Sequence, residues 1–312
     1  LTILSAINSA MVTLGSVGAV AILAFVSATV DAFFIWQACV GVVYAAMIRS
    51  ATWWVLGNGA DQRFDWAVFR RIWRFSAGMT AIAAIGITLM QLDKIILSKM
   101  LPLAAFGQYM LATTVVGGLY IIVTPLFNLV YPRFSSLVVA TGSHQALASQ
   151  YRQDLQLFSA LLFPTAMLLI CWGEELVTLW TGSAAIASGA APSISFLAAG
   201  TALYGVMHVP YALQIACGMT WLSLRISLIL LAILGPLIVM LALLYGALGA
   251  AIAWLLLNII YLFLGLGATH RYIRTGVSGL VALKDIGTPA GISCAFGMVA
   301  VASGVGGMQA PV

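Results

Sequence analysis

Charge is what this sequence is short of. Only 7% of the chain is Asp, Glu, Lys or Arg, against about a quarter in soluble domains. With 63% of its residues hydrophobic, the chain could not hide its apolar surface in a water-soluble fold. Metal and redox motifs are lacking too. Cys39, Cys171, Cys217 and Cys294 all lie in apolar sequence with no CxxC or Cys/His spacing, which leaves no zinc site or redox pair. His144, His208 and His270 match no metal motif, so no metal and no cofactor is expected. No GxxxxGK[ST] segment is present, which excludes P-loop use of ATP as a direct energy source. No connection is long enough to hold a large soluble catalytic domain, and no nucleic-acid partner is expected.

What the chain has instead is long apolar runs. They are continuous rather than alternating, and each reaches the ~20 residues that a helix needs to cross hydrocarbon. Since only helices and closed barrels satisfy every backbone group in lipid, the fold class is all-α, a polytopic transmembrane bundle. Nine spans are expected near 4–27, 32–56, 76–100, 106–132, 154–173, 192–217, 222–244, 247–268 and 288–308. Alternating them puts eleven of the thirteen basic residues on one side, among them Arg49, Arg133, Arg152, Arg225, Arg271, Arg274 and Lys284. The opposite loops hold Asp31, Glu174 and Glu175 but no Lys or Arg. Basic residues are retained in the cytoplasm, so the arginine-bearing side is read as cytoplasmic. The chain starts at Leu1 within apolar sequence, with no signal-peptide n-region. It is expected to be a fragment without its true N-terminus.

Between the second and third spans lies RFDWAVFRRIWRF. At 100° per residue, Arg63, Arg70 and Arg74 fall within about 20° of one direction, with Arg71 nearby and an apolar stripe beside them. That is a basic amphipathic helix suited to the membrane interface. An ungapped overlay of Ala24–Trp36 on Ala242–Trp254 matches Ala24/Ala242, Ala32/Ala250 and Trp36/Trp254. Both copies are helix pairs of the same sidedness, which suggests a parallel repeat of two lobes. The expected organisation is 1–57 as the last two helices of a first lobe and 58–75 as interfacial linker. A six-helix second lobe follows at 76–270, then a loop and one further helix at 271–312.

Several segments together resemble a known family. QLDK closes one span, FGQY opens the next and YPRFSSL ends it; LWTG, HVPYALQIACGMTWLSLRISLI and YGALGAAIAWLLLN follow in order. The chain resembles the bacterial oligosaccharide (O-antigen and polysaccharide) flippases of the multidrug/oligosaccharide/polysaccharide exporter superfamily. The resemblance implies two six-helix lobes around a cavity, here with one lobe incomplete because about four N-terminal helices are missing. It also implies a bacterial inner-membrane transporter, not an enzyme, that moves a polyprenyl-diphosphate-linked oligosaccharide by alternating access. H+ or Na+ are the candidate coupling ions. The partners are the lipid bilayer, the lipid-linked oligosaccharide and other glycan-assembly proteins.

Asp93 and Lys94 stand side by side in the third span. Neighbours on a helix diverge by about 100°, so they cannot pair with each other. Measured round the helix from Asp93, six polar residues share one stripe: Ser76, Lys94, Thr80, Ser98, Gln91 and, at its far edge, Thr88. The stripe is expected to line the cavity, where Lys94 would meet diphosphate or sugar. Asp93 is expected to turn away towards a neighbouring helix, with Gly86 allowing close approach, and there to pair with a basic residue or bind the coupling ion. The bland alternatives are snorkelling for Lys94 and a structural hydrogen bond for Asp93. Asn128, His208, Gln214 and Asn258 are further pathway candidates, each also explained by a helix–helix hydrogen bond. Pro125, Pro164, Pro210 and Pro236 could kink their spans. A glycan polymerase or ligase, a cation-coupled multidrug exporter and a non-transporting scaffold are the rival functions. The enzyme would have to use Glu174 and Glu175, the only carboxylate pair on the outer side.

Overall fold

The computed structural model describes residues 2–25, 29–56, 66–139, 144–273 and 277–302. Helix dominates throughout, in the order α1 (Thr2–Phe25), α2 (Val30–Leu56), α3 (Trp66–Met100), α4 (Leu103–Gly117), α5 (Tyr120–Val139) and α6 (His144–Thr181). Then come α7 (Ala184–Val206), α8 (His208–Ala216), α9 (Thr220–Tyr245), α10 (Ala247–Tyr272) and α11 (Gly279–Ala302). Among the described residues, eight segments are long and apolar enough to cross a membrane. The end of the expected ninth span, 303–308, lies outside the described residues.

Two units emerge, divided within the first turn of α3 between Phe69 and Arg70. In the first, α1 and α2 form a hairpin. The Trp36 indole N–H donates to the Gly15 carbonyl at 3.1 Å, and the Tyr44 hydroxyl donates to Asn8 Oδ1 at 3.0 Å. The second unit holds the six-span lobe together with α11. Trp254, which overlays Trp36 in the sequence repeat, donates instead to Thr201 Oγ1 at 3.1 Å, so the two hairpins do not share this anchor.

The lobe is built around α7, which packs against α6, α10 and α4. Its sequence, AAIASGAAPSISFLAAGTALYGV, has no polar face because nearly every face meets a helix. In lipid the association rests on close packing rather than on hydrophobic driving force, which favours small residues at contacts. Gly200 shows the requirement: a Cβ there would lie 2.8 Å from Trp254 Cδ1 and 3.1 Å from the Leu255 Cα. Larger side chains fill the remaining space, among them Leu97, Leu119, Phe134, Phe158, Leu162 and Ile194, all fully buried.

Two expected spans are each broken in two. The 106–132 span divides into α4 and α5 at Gly117–Leu119, where bonds from Gly118 N to Val115 O and from Leu119 N to Val116 O tighten the chain into i→i+3 turns. The 192–217 span divides into α7 and α8 at Met207, three residues before Pro210, whose missing N–H cannot bond the Val206 carbonyl. Proline does not explain the first break, which falls at paired glycines upstream of Pro125. At the other extreme α6 runs for 38 residues with a local kink at Trp172 (φ −123°, ψ 15°), starting ten residues before the expected span. Hydropathy misses that start because Gln145, Arg152, Gln153 and Gln156 fill the exposed positions while Tyr151, Leu155 and Phe158 are buried, together with Asp154.

The expected linker helix is not a separate element either. From Trp66 onward it continues into α3 as one 35-residue helix. Arg70 is exposed on its first turns; Arg63 and Arg274 lie outside the described residues.

α11, which is not among the eight membrane-length apolar segments, packs beside α6 in the same direction. Near its start, Asp285 accepts from Arg152 Nε and Nη2 at 2.7 and 3.1 Å and from Gln156 Nε2 at 2.7 Å. Farther along, Gly297 leaves room for the Met167 side chain, which a Cβ would overlap. The hydrogen bond from Arg152 holds the Asp285 carboxyl below the usual carboxylate range, against burial that pushes it up. A depressed folded-state pKa gives stability that is complete above the ordinary carboxylate value and lost as pH falls through the folded one. The melting temperature of Asp285→Asn should therefore lie below wild type at neutral pH, with the gap closing below about pH 4. A gap that stays constant down to acid pH would show that the ion pair contributes nothing.

Candidate functional site

A cavity of about 210 Å³ opens where α3, α4, α5, α7 and α10 meet. From α3 it receives Gln91, Asp93 and Lys94; from α4 and α5, Thr113 and Tyr120; from α7 and α10, Thr201 and Trp254. Leu89, Val116 and Leu197 supply apolar wall. The break after α4 matters here, because Gly117 lines the cavity at the turn and no side chain stands in its place.

Lys94 is partly buried. Its ammonium donates to the Met90 carbonyl at 2.8 Å and to Gln91 Oε1 at 3.1 Å. Both acceptors are neutral, so the charge stays available at the cavity wall.

Asp93 meets a neighbouring helix, as expected, but without leaving the cavity wall. It borders the same cavity, because a cavity wide enough to meet Leu89, Gln91, Asp93 and Lys94 takes in more of the helix than the roughly 100° between neighbours. Its partner is no basic residue: the Tyr109 hydroxyl, from α4, donates to Asp93 Oδ2 at 2.6 Å. Tyr109 is 1% exposed. The other oxygen, Oδ1, is buried and has no hydrogen-bond partner in the protein. Gly86, expected at a close helix contact, has nothing within 4 Å of where its Cβ would be.

The rest of the expected stripe does not reach the cavity. Ser76, Thr80, Thr88 and Ser98 are exposed on α3. Thr88 and Ser98 spend their hydroxyls on the Ala84 and Ile95 carbonyls of their own helix. Among the further pathway candidates, Gln214 and Asn258 are buried, 2% and 1% exposed. Gln214 donates to Thr269 Oγ1 at 2.7 Å and accepts from Ser223 Oγ at 2.6 Å, tying α8 to α10 and α9. Asn258 Nδ2 donates to the Trp254 carbonyl at 2.8 Å, which steadies the turn that carries the cavity tryptophan. Gln214 thus serves helix packing, whereas the bond of Asn258 stays within α10. Asn128 is exposed on α5. His208 sits among aromatic rings, its Nδ1 3.1 Å from the Tyr204 carbonyl.

Sequence reasoning missed Tyr109, Thr113, Tyr120, Thr201 and Trp254. Two signals were available. Tyr109 is the last residue of FGQY, and Trp254 is the shared residue of the repeat overlay. Thr201 and Tyr120 sit in runs with nothing to set them apart. Glu174 and Glu175 are exposed near the end of α6 and do not line the cavity. At the arginine-bearing end, Arg225 rests 4.8 Å over the Trp221 ring.

The sequence model described as polysaccharide biosynthesis protein matches residues 4–186, more than half of the chain. The chain belongs to this polysaccharide biosynthesis family. The matched stretch includes α3 to α6, and so holds Gln91, Asp93, Lys94, Tyr109 and Tyr120 of the cavity. No curated protein matches the chain. Among solved structures, the chain is similar to the lipid II flippase MurJ in an inward closed conformation, with a TM-score of 0.57 and 14% sequence identity. That alignment covers 87% of this chain and 55% of the flippase, so the chain spans about half of that protein's length. The shared feature is the polytopic all-helical fold.

Proposed function

We propose that the family member described here moves a polyprenyl-diphosphate-linked oligosaccharide across the bacterial cytoplasmic membrane by alternating access. The observation that carries this reading is an ammonium, Lys94, held at the wall of an intramembrane cavity by neutral acceptors alone. A buried cation is costly in lipid unless it is hydrated or paired. An anionic headgroup entering the cavity would supply the missing partner through charge-assisted hydrogen bonds. Membership of a polysaccharide biosynthesis family and a fold shared with a lipid II flippase support the same substrate class. The work is transport rather than bond making.

Within this reading Asp93 is the candidate site for a coupling H+ or Na+. One oxygen is fixed by Tyr109 while the other is left without a protein partner. Glycan-assembly enzymes that make and consume the lipid-linked sugar are the expected partners.

Leaflet-resolved transport in proteoliposomes tests the proposal, using the full-length protein and a fluorescent polyprenyl-diphosphate oligosaccharide. Protein-dependent appearance of the probe in the opposite leaflet, chemically unchanged, is the expected result. A lengthened or transferred glycan in the same assay would make the protein an enzyme, and no movement of the probe would refute the proposal.

A further inference from the structure

From the cavity a column of aromatic rings continues towards the arginine-bearing end of the lobe. Tyr204 lies at its centre. Its ring centroid is 5.7 Å from Trp254, 6.2 Å from Tyr120 and from Tyr261, and 5.0 Å from His208. Beyond His208 come Phe127 at 5.9 Å and Tyr211 at 6.4 Å, and Phe127 is stacked in turn with Tyr131 at 6.1 Å. Rings from α5, α7, α8 and α10 thus form one continuous row. On α5 alone the row reaches from Tyr120 to Tyr131, about 16 Å at 1.5 Å per residue.

Core packing is the simplest account of such a row, but the tyrosines argue against it. A structural tyrosine in this lobe looks like Tyr109, 1% exposed with its hydroxyl bonded to Asp93, or like Tyr151, fully buried. Tyr120, Tyr131, Tyr204, Tyr211 and Tyr261 are different, since every one is partly exposed. Their hydroxyls make no hydrogen bond to the protein among the described residues, yet none is sealed from solvent. Moreover, they converge. Tyr204 is in ring contact with both Tyr120 and Tyr261, and Tyr131 and Tyr211 both stack on Phe127. No Lys, Arg, Asp or Glu belongs to the row.

We infer that this row is a sugar-binding track, separate in chemistry from the Lys94 cavity and continuous with it. A pyranose presents C–H groups on its faces and hydroxyls around its rim. Aromatic rings match the faces by stacking, and unbonded tyrosine hydroxyls match the rim, the mixture of apolar wall and few polar groups that ligand sites use. The absence of fixed charge suits neutral sugars and not a diphosphate. The assignment rests on the transport reading above: Lys94 takes the diphosphate and the track takes the glycan attached to it.

Equilibrium binding to the full-length protein in detergent separates the two. The probes are undecaprenyl diphosphate and the undecaprenyl-diphosphate-linked oligosaccharide extracted from the source cells. Tyr211→Leu is expected to weaken binding of the glycan-bearing lipid roughly tenfold and that of the sugar-free lipid by less than about twofold. Tyr211→Phe keeps the ring and should fall between wild type and Tyr211→Leu. Unchanged binding of the glycan-bearing lipid would overturn the track, and so would equal losses for both lipids, because a ring that only supports the fold cannot tell them apart. Lys94→Ala has the opposite signature and weakens both probes. Should Lys94→Ala change neither while Tyr211→Leu discriminates, the cavity reading fails and the track stands.

Discussion

Lys94→Ala in the full-length protein is expected to slow leaflet-resolved transport of a polyprenyl-diphosphate oligosaccharide by about ten- to a hundredfold, with little loss of thermal stability. The magnitude follows from a charge-assisted hydrogen bond to phosphate, worth about 1.5–3 kcal/mol, at about 1.4 kcal/mol per tenfold. Stability should hold because the ammonium makes no ion pair: its acceptors are the Met90 carbonyl, already part of the helix, and the exposed Gln91 amide. Removing it orphans no buried charge. Lys94→Arg keeps the charge and should retain part of the rate. If Lys94 merely snorkels to the interface, alanine will transport at the wild-type rate and the cavity will lose its claim to the headgroup.

Tyr109→Phe should do the reverse, costing stability first. It leaves Asp93, whose Oδ1 already has no partner, without its hydrogen bond from Tyr109. An unsatisfied buried acceptor costs about 1–3 kcal/mol, and more when it is charged. A destabilisation of about 2–3 kcal/mol is therefore expected in detergent unfolding. Combining Tyr109→Phe with Asp93→Leu should cost less than the two single changes added together, since groups in one hydrogen bond are not independent. Strict additivity would mean that the 2.6 Å contact does not hold α3 to α4.

The helices were legible because lipid leaves the backbone no alternative, and every expected span that falls on described residues is helical. Their interruptions were not. The break at Gly117–Leu119 depends on a tightened turn that apolar runs do not reveal, and the long start of α6 depends on a buried face masked by polar residues. Within the site, periodicity pointed Gln91 and Lys94 to the cavity and Asp93 to a neighbouring helix, but not Asp93 to the cavity as well. A helical wheel gives direction and not the width of the space a helix faces. Gln214 and Asn258 show a second limit: a buried amide looks the same in sequence whether its partner is a neighbouring helix, its own backbone or a ligand. The aromatic row was invisible for a related reason, because its members come from four helices and only the fold brings them together.

One dimension of α3 sets how its two ends behave. A 35-residue helix without proline is about 52 Å long, well beyond the ~30 Å of bilayer hydrocarbon. Within the second unit some 24 residues, about 36 Å, separate Arg70 from Lys94. With no proline between them, a tilt of about 10° shifts one end sideways relative to the other by about 6 Å. The position of the ammonium at the cavity wall is therefore tied to the inclination of the whole α3 shaft.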